Sequence, residues 1–66
     1  MKLTKEQKAI AKITEAMFYK LANGIQFNIM DLGKIDKAAK AVLAVGGAIE
    51  DAEAAMLQAI NQYRVN

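Results

Sequence analysis

The sequence predicts an all-α fold: a helical hairpin in which a short first helix packs against a long second one, assembled into an oligomer. Three observations carry that expectation. Apolar residues recur at helical spacing in two stretches, one ending at Leu21 and one running from Ile35 to Tyr63. Proline is absent, so four glycines and a few capping residues supply all the punctuation. Finally, 55% of the 66 residues are hydrophobic, more than so short a chain can hide in a core of its own, which makes self-association the expected source of extra stability.

The first helix is expected over about 5–22. Thr4-Lys5-Glu6-Gln7 fits a capping box, in which the Thr4 hydroxyl accepts the Gln7 backbone N–H and the Gln7 side chain reaches back. Asn23-Gly24 is the expected left-handed stop. Ile10, Ile13, Met17 and Leu21 make one apolar stripe, and Lys5, Lys8, Lys12 and Tyr19 project from the other side. That second face reads as solvated; its functional alternative is a shallow basic patch with one ring, able to take a phosphate and stack a base.

Residues 23–31 read as an apolar connector. Ile25, Phe27 and Ile29 alternate with polar residues as in a strand, but a lone short strand without a partner is not stable. Phe27 and Met30 are expected either to plug one end of the core or to stand exposed as a contact for a partner.

The second helix is expected over about 32–64, with Asp31 as its N-cap and Asp36 in its first turn. Counting by sevens gives Ile35, Val42, Ile49, Met56 and Tyr63, with Ala38, Val45, Ala52 and Ala59 three residues after the first four. This heptad seam runs through Gly46-Gly47 in register, which favours one continuous or gently kinked helix. Two observations favour a break at the glycines instead. Each glycine weakens a helix by roughly 1 kcal/mol, and Lys34, Lys37 and Lys40 precede Glu50, Asp51 and Glu53, the order expected if a new helix starts after Gly47. In the continuous reading Gly46 joins Ala38, Ala39, Ala48 and Ala52 in a flat strip, and the long helix overhangs the short one. The expected oligomer interface is then Val42, Val45, Gly46, Ile49, Ala52, Met56, Ile60 and Tyr63, with Phe27 and Met30 added from the connector. Glu53, beside the seam, is a flanking charge able to fix register.

Composition removes most catalytic chemistry. There is no Cys, His or Ser, which excludes disulfides, Cys/His zinc sites and the Ser-His-Asp and Cys-His nucleophilic arrangements. Glu50, Asp51 and Glu53 read as the solvated first turn of a helix, not as an acid/base pair. The expectation is a single non-enzymatic helical domain over 1–66, without cofactor or metal. Residues 1–40 carry eight lysines against four acids, and residues 41–66 one arginine against three acids, a balance suited to antiparallel pairing of two copies. A net charge of +2 with Arg64 as the sole arginine disfavours duplex DNA as a partner. No run approaches the ~20 apolar residues of a spanning helix, so no membrane role is expected and the cytoplasm is the expected location.

Function is expected to lie in binding: a small oligomer acting stoichiometrically on another protein, as an inhibitor or adaptor. A second expectation comes from resemblance. Ile49-Glu50-Asp51-Ala52, followed by Ala59-Ile60, resembles the last helix of small phage helical-hairpin proteins that sequester cyclic-nucleotide immune signals, the anti-CBASS and anti-Thoeris type of sponge, and the opening Leu3-Thr4-Lys5-Glu6 is similar to their start. The match covers about a quarter of the chain, and Ala54, Ala55 and Leu57 stand where those helices carry an aromatic. The resemblance implies a counter-defence role, with a cyclic oligonucleotide bound between subunits. Charge and ring placement in this chain then assign Lys8, Lys12, Tyr19 and Arg64 to phosphate and base. A third expectation is a self-assembling structural subunit.

Overall fold

The computed structural model describes residues 3–65. Among them the fold is all-helical, with α1 over Lys5–Leu21, α2 over Ile29–Ala44 and α3 over Ile49–Tyr63. The expected two-helix hairpin is thus a three-helix arrangement. The second of the two expected helices is divided at the glycine pair, and its first half begins earlier than Leu32.

α1 forms where local signals place it. The Thr4 hydroxyl accepts the Gln7 N–H at 3.1 Å and the Gln7 side chain accepts the Thr4 N–H at 2.9 Å, which completes the capping box. Gly24, at φ 80°, takes the left-handed position that turns the chain out of the helix, while Asn23 keeps a negative φ. The buried stripe of α1 is rotated from the expected one. Thr14 and Met17 are buried, whereas Ile13 lies at the solvent edge. Thr14 tolerates burial because its hydroxyl reaches the Ile10 and Ala11 carbonyls, both at 3.0 Å.

α2 is capped by Asn28, not Asp31, and makes no side-chain capping bond. Asp31 sits in the first turn, where it complements the helix dipole and pairs with Lys34 at 3.5 Å. The helix ends in a Schellman motif. Gly46 N–H donates to the Leu43 carbonyl at 3.1 Å and Gly47 N–H to the Val42 carbonyl at 3.0 Å. Gly46 has φ 79°, and a Cβ on Gly47 would lie 2.6 Å from the Val42 side chain. Both positions therefore favour glycine, and together they break the helix. α3 follows from an extended Ala48, with Glu50 and Asp51 at its positive end.

The break lets the heptad seam fold back on itself. Ile35 and Ala39 of α2 are buried in one core with Ala52, Met56, Ala59 and Ile60 of α3 and with Met17 and Ala22 from α1. The overhang expected to leave Met56 and Ile60 without partners in their own chain is absent, since both are fully buried. Half of these core residues are alanine, so the helices approach closely. Phe18, Leu21, Ile25, Phe27, Val42, Leu43 and Tyr63 close its sides.

The connector does find a partner. Phe27 forms an isolated antiparallel bridge with Arg64, and Val65 N–H donates to the Gln26 carbonyl at 2.9 Å. Glu53 meets Lys20 of α1 at 3.9 Å across the molecule. No helix among the described residues is long and apolar enough to cross a membrane.

Candidate functional site

Four features of the surface can be built from these elements. The first is the turn into α2. Because the helix begins at Ile29, its first residues have no preceding turn to lean on, and Ile29 and Met30 stand 86% and 87% exposed. Phe27 just before them is half-buried, with its ring 5.8 Å from that of Phe18. Phe27 thus helps to plug the end of the core, while Met30 projects to solvent. Ile29, at the same exposed tip, was hidden from sequence reading by its apparent place in an alternating connector.

The second feature is an open groove of about 440 Å³ between α1 and α2. Ala11, Glu15, Phe18 and Tyr19 form one wall, and Leu32, Gly33, Asp36 and Lys40 the other. A Cβ on Gly33 would meet nothing within 4 Å, so the groove is wide where Gly33 faces it. Lys40 is ion-paired with Asp36 one turn before it. Only Tyr19 among the expected ligand-binding residues lines this groove, and Glu15 beside it is unfavourable to a phosphate.

The third feature is the outer stripe of α1. Lys8, Lys12 and Tyr19 share it with Glu15, all of them exposed. Tyr19 is 69% exposed and its ring stands edge-on to Phe18 at 6.3 Å. Arg64 lies elsewhere, tied by its backbone to Phe27, so the four residues assigned to an anionic ligand do not line one shared pocket.

The fourth is a shallow hollow between α2 and α3, lined by Lys34, Ala38, Ala55, Gln58, Ala59, Gln62 and Tyr63. The Lys34 ammonium lies 5.6 Å from the Tyr63 ring centroid, a cation–π contact across the hairpin.

The residues expected at an oligomer interface divide into three groups. Ala52, Met56 and Ile60 are fully buried within the chain, and Val42, Phe27 and Tyr63 are partly buried against the core. Met30 and Val45 are almost wholly exposed and Ile49 is 50% exposed. Gly46 is exposed as the left-handed cap, not as part of a helical strip. Among the described residues no three carboxylates gather in a way that would hold a metal ion.

No family model matches the chain, and no curated protein or solved structure shows significant similarity to it.

Proposed function

We propose that this protein is a non-catalytic binding protein that acts stoichiometrically, as an inhibitor or adaptor, on another protein. One observation carries the reading: Ile29 and Met30 stand side by side on the first turn of α2, each more than four-fifths exposed, at the tip of a helical body. Adjacent bulky apolar side chains left in water at one tip are the usual mark of a contact surface. Ile29 offers a stiff, β-branched contact, and the unbranched thioether of Met30 adapts to an irregular apolar pocket. The partner implied is a protein with an apolar cleft wide enough for one helical turn.

The experiment is a substitution read against binding and folding together. Met30→Asp places a charge in the contact, and the expected outcome is loss of the complex in native mass spectrometry of material from the producing cell. The same variant keeps the parent's far-UV dichroism and melting midpoint, because Met30 contributes almost nothing to the core. A complex that survives both Met30→Asp and Ile29→Asp rules this surface out.

A further inference from the structure

We propose that the chain forms an antiparallel homodimer through the outer stripe of α1. The proposal is independent of what the Met30 tip contacts. It begins with a helix that is ordered but uncovered. Residues 3–9 are all exposed even though the capping box fixes the first turn of α1.

The stripe on that face is self-complementary. Lys8, Lys12, Glu15 and Tyr19 are spaced by four, three and four, so they lie on one side of the helix and read alike from either end. Two copies of α1 laid antiparallel about an axis between Lys12 and Glu15 bring each Lys12 to the other copy's Glu15 and each Lys8 to the other's Tyr19. The first contact is an ion pair, made twice; the second is an ammonium over a phenol ring, also made twice.

Charge selects this arrangement over its neighbours. A parallel pairing sets Lys8 on Lys8, Lys12 on Lys12 and Glu15 on Glu15. An antiparallel pairing shifted so that Glu15 meets Glu15 is repulsive at its centre. Among the described residues Lys8, Lys12 and Glu15 take part in no ion pair within the chain, so all three are available.

The test is sedimentation equilibrium of the full chain from micromolar to millimolar concentration. The expected result is a closed monomer–dimer equilibrium that weakens with added salt, because the pairs are made by solvent-exposed side chains and are screened. Lys12→Glu and Glu15→Lys each turn two attractions into two repulsions and should weaken the dimer about tenfold. The double variant Lys12→Glu/Glu15→Lys restores opposite charges across the seam and should recover most of the parent's affinity. Both positions are exposed, and unchanged far-UV dichroism serves as the folding control. A chain that stays monomeric, a dimer indifferent to the single charge reversals, growth without closure, or a double variant no better than the singles would each overturn the proposal.

Discussion

Gly46 and Gly47 stand side by side and answer to different physical demands. Gly46 occupies φ 79°, where an L side chain is strained, yet a Cβ there would touch nothing within 4 Å. Gly47 has an ordinary φ, but its Cβ would sit 2.6 Å from the Val42 side chain and 2.8 Å from the Val42 carbonyl. Gly46→Ala should therefore lower stability by about 1 kcal/mol through backbone strain alone. Gly47→Ala should lower it by at least as much through a clash, and Val42→Ala does not relieve it, because the carbonyl stays in place. Gly33 has the opposite sign. It lies inside α2 with open space where its Cβ would be, so Gly33→Ala should raise stability by about 0.5–1 kcal/mol. Thermal melts at one chain concentration read all three, since 1 kcal/mol moves the midpoint of a domain this small by about 4–8 °C.

At the scale of the element, the helices differ in how they begin. α1 has a complete capping box, while α2 and α3 start from Asn28 and Ala48 without a side-chain capping bond. Ala48 already holds the extended geometry of an N-cap, at φ −73° and ψ 154°. Ala48→Ser should then stabilise the protein by about 1 kcal/mol, and Thr4→Ala should cost about as much as the cap it removes, both measured by urea denaturation. A null effect of Ala48→Ser would mean that the α3 N-terminus is already satisfied by water. The contrast also explains what was legible. α1 is written in local signals, the Thr4 box and the Asn23-Gly24 stop, and local signals survive in a sequence. The α2–α3 break was obscured by a coincidence of length. Residues 45–48 lie outside both helices, and four residues replace little more than one helical turn of 3.6, so the heptad count runs through the loop without losing phase. A seam that keeps register therefore fits one long helix or a hairpin folded on itself. The order of charges, lysines before acids, was the signal that separated them.

Across the whole molecule, stability depends on few side chains. Ile35, Met56 and Ile60 are the large apolar side chains with no exposure, and much of the rest of the core is alanine. A domain of this size has about 3–10 kcal/mol in total, and truncating a buried isoleucine to alanine costs about 2–5 kcal/mol. Ile60→Ala should accordingly populate unfolded chain at room temperature, while Ile60→Val should leave a cooperative melt at a lower temperature. Met56 and Ile60 were named from the sequence, but as interface residues: the periodicity identified which positions seek apolar partners and was silent on whether those partners lie in the same chain. The exposed tip was half legible for a related reason. Met30 and Phe27 stood out by size, but Ile29 needed the true start of α2, and the pairing of Phe27 with Arg64 joins segments too far apart in the chain for local pattern to reveal. If α1 pairs as proposed, the core and the dimer are also linked, because a contact made only by the folded chain adds to its apparent stability as concentration rises. The melting midpoint of the parent should then climb with chain concentration, and that of Lys12→Glu should climb less over the same range. A midpoint that is flat for both means that the core of one chain accounts for all the stability measured, and that the uncovered turns of α1 remain in water.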